Sequence, residues 1–139
     1  MKNLLRTCSF GALLLASSVV SCAEPRALQE RLTQLAGASA INCSPTESEK
    51  TLTRALSCAK DAIAASKAFV LVIHFAHCAD CKYWDAAAGS VKGALWELIY
   101  DTNPRGLQSD TPILDTRQCS SLRLNEEYPF IICMHDNGR

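Results

Sequence analysis

Phe69-Val70-Leu71-Val72-Ile73-His74-Phe75-Ala76 is a run of β-branched and aromatic residues interrupted by one histidine, and its reading decides the fold. It lacks the polar alternation of a half-exposed strand, so it is expected to be a central strand buried on both faces. It opens onto Cys78-Ala79-Asp80-Cys81. Beyond those cysteines, Gly89 and Gly93 would each cost a helix about 1 kcal/mol relative to Ala, which favours two strands, Tyr83 to Val91 and Ala94 to Asp101, around a Lys92-Gly93 turn. Trp96, Leu98 and Tyr100 then share one face. Thr102-Asn103-Pro104-Arg105-Gly106 is a turn, because Pro fixes one dihedral and Gly permits the reversal.

Upstream of the run, Leu52, Ala55, Leu56, Ala59, Ala62 and Ile63 recur at three and four residues, an amphipathic helix reaching about Ser66. Asn42-Cys43-Ser44-Pro45-Thr46-Glu47 reads as its start, with Ser44 as cap, Pro45 in the first turn and Glu47 at the positive end of the dipole. Downstream, Ile113 and Leu114 suggest a short strand, Cys119 to Asn125 reads as irregular, and Phe130 to Met134 is a last apolar strand led in by Pro129. The fold class expected is α+β: one amphipathic helix packed on a three- to four-stranded antiparallel sheet and stapled by disulfides.

The chain begins with Lys2 and Arg6, followed by an apolar stretch from Phe10 to Val20 that is too short to span a bilayer comfortably. Residues 1–21 are therefore expected to be a signal peptide, 22–41 a tether, and 42–139 a single small domain. Two ends compete for the leader. Val19-Val20-Ser21-Cys22 resembles a bacterial lipobox, which makes Cys22 a lipidation site and the membrane a partner. Ser21-Cys22-Ala23 is also acceptable for ordinary cleavage and soluble release. The expected location is accordingly periplasmic or outer-membrane lipoprotein, with a secreted soluble protein as the alternative. Leu28, Leu32 and Leu35 allow a short helix within the tether before Gly37 breaks it, and docking of that helix on the domain is the alternative.

The 14 basic and 14 acidic residues balance, and loss of Lys2 and Arg6 leaves a slight acidic excess. Nucleic acid is not an expected partner. Cys43, Cys58, Cys78, Cys81, Cys119 and Cys133 remain after the leader, an even number that suits disulfides in an exported chain. Cys119 with Cys133 is the preferred bridge, across a segment that can fold back, and Cys43 with Cys58 comes next. No cofactor and no metal is expected. Asp101, Asp110, Asp115, Glu126 and Glu127 read as solvated loop charges, and Trp84 and Trp96 as core.

Cys58-Ala59, Asp61-Ala62, Ala64-Ala65, Phe69, Gly89, Gly93, Leu95-Trp96-Glu97-Leu98, Tyr100-Asp101, Pro104, Gly106, Cys119 and Cys133 resemble a group of small exported cysteine-containing bacterial proteins of unknown function. That resemblance covers roughly Leu56 to Cys133 and implies a helix, a strand, a hairpin and a Tyr-Asp-x-x-Pro-x-Gly turn, without implying an activity. A weaker resemblance is to thioredoxin-like oxidoreductases, in which an apolar strand ends in Cys-x-x-Cys followed by Lys, as in Cys78-Ala79-Asp80-Cys81-Lys82, and a Pro precedes a later strand, as Pro129 does. It implies a truncated thioredoxin-like α/β fold in which Cys78 attacks a substrate disulfide, Cys81 resolves it and Pro129 is a facing cis proline. His77 departs from the aromatic residue usual there, and Gly89 and Gly93 interrupt the helix that should follow.

Two other readings of the cysteine pair need less. A turn at 78–81 brings its ends within about 7 Å, close enough for a structural bridge. His74, His77, Cys78 and Cys81 as zinc ligands conflict with the opposite faces that residues three apart occupy on a strand. The function expected is an exported, membrane-anchored, non-catalytic binding or structural module, with a periplasmic thiol-disulfide oxidoreductase as the alternative.

Overall fold

The computed structural model describes residues 24–45, 49–75, 83–106 and 111–136. Among these described residues, two helices and seven strands follow one another as α1 (Arg26–Ala36), β1 (Ile41–Asn42), α2 (Glu49–Ala64), β2 (Phe69–Phe75), β3 (Tyr83–Gly89), β4 (Leu95–Asp101), β5 (Ile113–Cys119), β6 (Ser121–Leu124) and β7 (Ile131–Met134). Strands β1 to β5 form one sheet in that order, and β6 pairs with β7 in a separate two-stranded sheet. The architecture is α+β, but the sheet has five strands rather than three or four and is mixed, because β1 runs parallel to β2.

The parallel edge gives Ser44 a partner in β2. Cys43 N–H donates to the Val70 carbonyl at 2.8 Å, and Val72 N–H donates to Ser44 Oγ at 3.1 Å. Ser44 thus prolongs the alignment of β1 along β2, Thr46 and Glu47 of the expected helix start lie outside the described residues, and α2 runs from Glu49 within them. Its far end closes on Ser66, whose φ of 51° lets Lys67 N–H reach the Ala62 carbonyl at 2.9 Å. That reversal delivers the chain directly into β2.

Strands β2 to β5 form an antiparallel meander in continuous register, through pairs such as Leu71↔Ala87, Ala87↔Glu97 and Glu97↔Arg117. The glycines do separate β3 from β4 as the sequence suggests. Gly93 takes a φ of 80° in the turn, where Ser90 N–H bonds the Ala94 carbonyl at 2.9 Å. Gly89 serves packing instead, since a Cβ there would collide with the Phe69 ring.

Each face of the sheet has its own cover. On one, Ala55, Leu56, Ala59 and Ala62 of α2 pack with Phe69, Leu71, Ile73, Phe75 and Ala87, together with Leu124 and Ile131 of the β6–β7 hairpin. On the other, Leu28, Leu32 and Ala36 of α1 pack with Val72, Trp84, Ala86, Ala88 and Leu98. The segment expected as a tether therefore contains a docked helix, with Leu28 fully buried. Its spacing of four residues places Leu28, Leu32 and Ala36 on one stripe, and burial of that stripe supplies the stability that so short a helix lacks alone.

Strand β5 runs for seven residues where a two-residue strand was expected, and Ser121–Leu124 is a strand where the sequence reads as irregular. Asp115, Thr116, Arg117 and Gln118 conceal β5 because an edge strand with half-exposed faces carries polar residues on both.

Candidate functional site

Strand alternation brings Tyr83, Asp85, Ala87 and Gly89 of β3 to the α2 side, beside Leu95, Glu97, Ile99 and Asp101 of β4. Cys43 and Cys58 lie on that side as well, and Cys119 shares it as the register partner of Leu95. Cys43 is joined to Cys58, tying α2 to the parallel edge, and Cys119 is joined to Cys133, tying β5 to β7. Their Cα separations are 5.5 Å and 5.2 Å, within the ordinary span of a disulfide. Both covalent ties thus secure elements over one face of the sheet.

The same face hides two carboxylates. Asp85 is 5% exposed and Glu97 8%, and they sit diagonally on adjacent strands, since Asp85 pairs with Ile99, two residues on from Glu97. Their surroundings differ. The Cys133 N–H donates to the Glu97 carboxylate, the Arg117 guanidinium lies 3.9 Å from it, and His135 adds a favourable field. Burial nevertheless raises its pKa, with Asp115 adding to the rise. Asp85 receives the Ala86 N–H, while its Oδ1 finds no hydrogen-bond partner among the described residues. Burial first, and then the charge of Glu97, push its pKa up to about 7. Asp85 therefore exchanges its proton near neutrality. Tyr83, one position along the same face, is pushed up to about 12 by burial and then by Asp85.

Sequence reasoning took neither Asp85 nor Glu97 as a site residue. The available signal was a single charge between apolar neighbours in a strand, Trp84-Asp85-Ala86 and Trp96-Glu97-Leu98. Alternation then requires that side chain to enter a packed layer unless the strand lies at an open edge. The charges read as solvated are half-buried at Asp101 and Asp115 and exposed at Glu126 and Glu127, and Asp110 lies outside the described residues.

Cys78 and Cys81 fall between Phe75 and Tyr83 and lie outside the described residues, as do His77 and Cys22. The ends of that stretch are placed: Phe75 and Tyr83 are register partners at one end of the sheet. Tyr83 leads into a strand, where a thioredoxin-like arrangement needs a helix. The same end of the sheet carries an aromatic group. The Phe75 ring lies 5.3 Å from Phe130, 5.8 Å from Tyr83 and 5.9 Å from Tyr128, and the Tyr128–Pro129 peptide is cis. On the α1 face, exposed His74 stacks at 4.7 Å on the buried Trp84. Among the described residues no group of three or more His, Cys, Asp or Glu side chains could hold a metal ion.

Comparison with protein-family models, with curated proteins and with solved structures returns no match to this chain.

Proposed function

We propose that this chain is an exported, disulfide-stapled binding or structural module, held at the bacterial envelope by a lipid on Cys22. The observation that carries this reading is the pair of disulfides, Cys43–Cys58 and Cys119–Cys133, fastening both covers of one sheet face. Such bonds persist in oxidising compartments, and a small domain gains from them the stability that its limited core lacks. The basic, apolar leader and the Val19-Val20-Ser21-Cys22 sequence supply the route and the anchor. The test is expression of the full chain in a bacterial host, followed by fractionation and an intact mass. A membrane-bound product with a lipid mass on Cys22, which Cys22→Ala makes soluble, is the expected result. An uncleaved cytoplasmic chain with free thiols overturns the reading.

A second reading, a thiol-disulfide oxidoreductase using Cys78 and Cys81, is favoured by one observation. Phe75, Tyr83 and Tyr128 gather at the sheet end from which the stretch holding those cysteines departs. Its test is disulfide-reductase activity that Cys78→Ser abolishes. A module without this chemistry shows no such activity in the unaltered chain.

A further inference from the structure

Strand β5 ends the five-stranded sheet: all seven of its residues pair with β4, and among the described residues no strand pairs with its other side. The β6–β7 hairpin packs on the α2 face and forms a sheet of its own, so it does not extend this edge. The opposite edge, β1, offers only two residues. A seven-residue edge invites a further strand, and natural sheets commonly oppose such pairing with charge. Here the charges instead favour one register of self-pairing. Ile113-Leu114-Asp115-Thr116-Arg117-Gln118-Cys119 carries one acid and one base, placed symmetrically about its central residue, Thr116.

We propose that β5 pairs antiparallel with β5 of a second copy of this chain, about a two-fold axis through Thr116. Outward-facing backbone groups alternate along a strand and pair only with outward-facing groups, so the axis passes through a residue and not between two. An axis through Asp115 sets two carboxylates against each other, and an axis through Arg117 sets two guanidinium groups so, which destabilises either pairing. Axes nearer the strand ends shorten the pairing and leave the charges without a countercharge. The axis through Thr116 sets Asp115 against Arg117 twice and uses all seven residues. Arg117 then stands between Glu97, its register partner on β4, and Asp115 of the second copy. Ile113, 47% exposed, comes opposite Cys119, which covers part of its apolar surface. Directly paired residues share a face, so the two sheets become one and both α1 helices lie on the same side of it. Because α1 begins at Arg26, four positions after Cys22, the lipid-anchor reading makes both anchored segments start from that side. The pairing itself does not depend on that reading. One strand edge is a small interface, so association depends on concentration, and confinement to one membrane plane raises it.

The experiment uses the full chain carrying Cys22→Ala, Cys78→Ser and Cys81→Ser, which removes the lipid site and two thiols that could join copies by themselves. Association is thereby measured apart from anchoring. Sedimentation equilibrium at graded concentrations should show the mass rising from one chain toward two. Asp115→Lys and Arg117→Glu should each weaken association about tenfold, because each sets like charges against each other twice. Mixing those two variants should restore it, since every new charge then faces its opposite. A second readout needs no change of charge. Thr116→Cys, on the axis and on the face away from Cys119, should link two copies through a disulfide on mild oxidation, whereas Leu114→Cys and Gln118→Cys, displaced from the axis, should not. Should Arg117→Glu not fold, Asp115→Lys and the crosslink decide. The proposal is overturned if the chain stays a single copy at every concentration, if Asp115→Lys associates as the parent does, if folded variants do not recover on mixing, or if the three cysteine variants link equally.

Discussion

The two faces of the five-stranded sheet are covered by opposite means. The α1 face is closed by packing, with Leu28 and Leu32 seated over Val72, Ala86, Ala88 and Leu98. The α2 face is covered by two separate pieces, a helix and a hairpin, each tied by a disulfide to the strand it must meet. It is also the face beneath which Asp85 and Glu97 are buried. Among the described residues the first face is closed by burial without a disulfide, whereas the second stays closed over charge because its covers cannot easily leave. The comparison predicts that the two faces respond differently to pH, truncation and salt.

The largest effect is expected from Asp85. Its folded pKa of about 7 stands above its ordinary 3.8. Below 3.8 both folded and unfolded chains hold the proton. Between 3.8 and about 7 only the folded chain holds it, so stability falls as pH rises through that window, and above it the full cost is present. Asp85→Asn removes the ionisation and should raise stability at pH 8 by up to about 4 kcal/mol, with little change at pH 3. Urea unfolding at both pH values checks this. An Asp85→Asn chain that keeps the acid-to-neutral slope of the parent would break the contrast between a dry face and a charged one.

Next come matched truncations of the covers. Leu28 and Leu56 are 0% and 1% exposed, so Leu→Ala at either site should cost about 3 kcal/mol in global unfolding. Local protection should separate them. Leu28→Ala should accelerate hydrogen exchange throughout α1, which no disulfide among the described residues retains, whereas α2 in Leu56→Ala should stay protected until Cys43–Cys58 is reduced. Equal loosening of both helices in the oxidised chain would show that the staple plays no part in holding its face.

A smaller effect is expected at Gly89. A Cβ there meets the Phe69 ring and comes within 3.3 Å of Leu95 Cδ2, on the stapled face only. Gly89→Ala should cost about 2 kcal/mol by overpacking, and Phe69→Leu in the same chain should recover part of it. Thermal unfolding of the single and double variants provides the check.

These contrasts also mark what the sequence makes legible. The helix over Leu52 to Ile63, the apolar β2 and the glycine-bounded hairpin are plain, because each is set by local periodicity or by a backbone that only glycine adopts readily. The parallel β1 is hidden: two residues paired only by main-chain bonds to β2 leave no side-chain pattern. The docking of α1 is hidden for another reason, since its stripe of Leu28, Leu32 and Ala36 is equally compatible with a tether until the surface that receives it is known. Edge strand β5 reads as only a two-residue strand at Ile113 and Leu114, because the polar residues that follow face partial solvent on both sides. Asp85 and Glu97 are visible as letters, but their burial depends on the β6–β7 hairpin, a cover whose strand β6 reads as irregular.

The smallest expected effects concern the exposed charges of each region, and they test whether burial next door matters. On α1, Arg26 Nε lies 2.7 Å from Glu30 Oε1, with side chains 91% and 58% exposed. Glu30→Gln should cost no more than about 0.5 kcal/mol, and the difference should vanish in 1 M salt because solvent and ions screen such a pair. On β5, Arg117 lies 2.7 Å from Asp115 and 3.9 Å from Glu97. Its bond to half-exposed Asp115 should behave like the helix pair. Its attraction to buried Glu97 should not, because ions cannot enter between a guanidinium at the surface and a carboxylate beneath the hairpin. Arg117→Gln should therefore cost about 1 kcal/mol and keep most of that cost in high salt, while Asp115→Asn loses its smaller effect entirely. If salt erases both, Glu97 is reached by solvent, and the two faces differ in their fastenings but not in what they exclude.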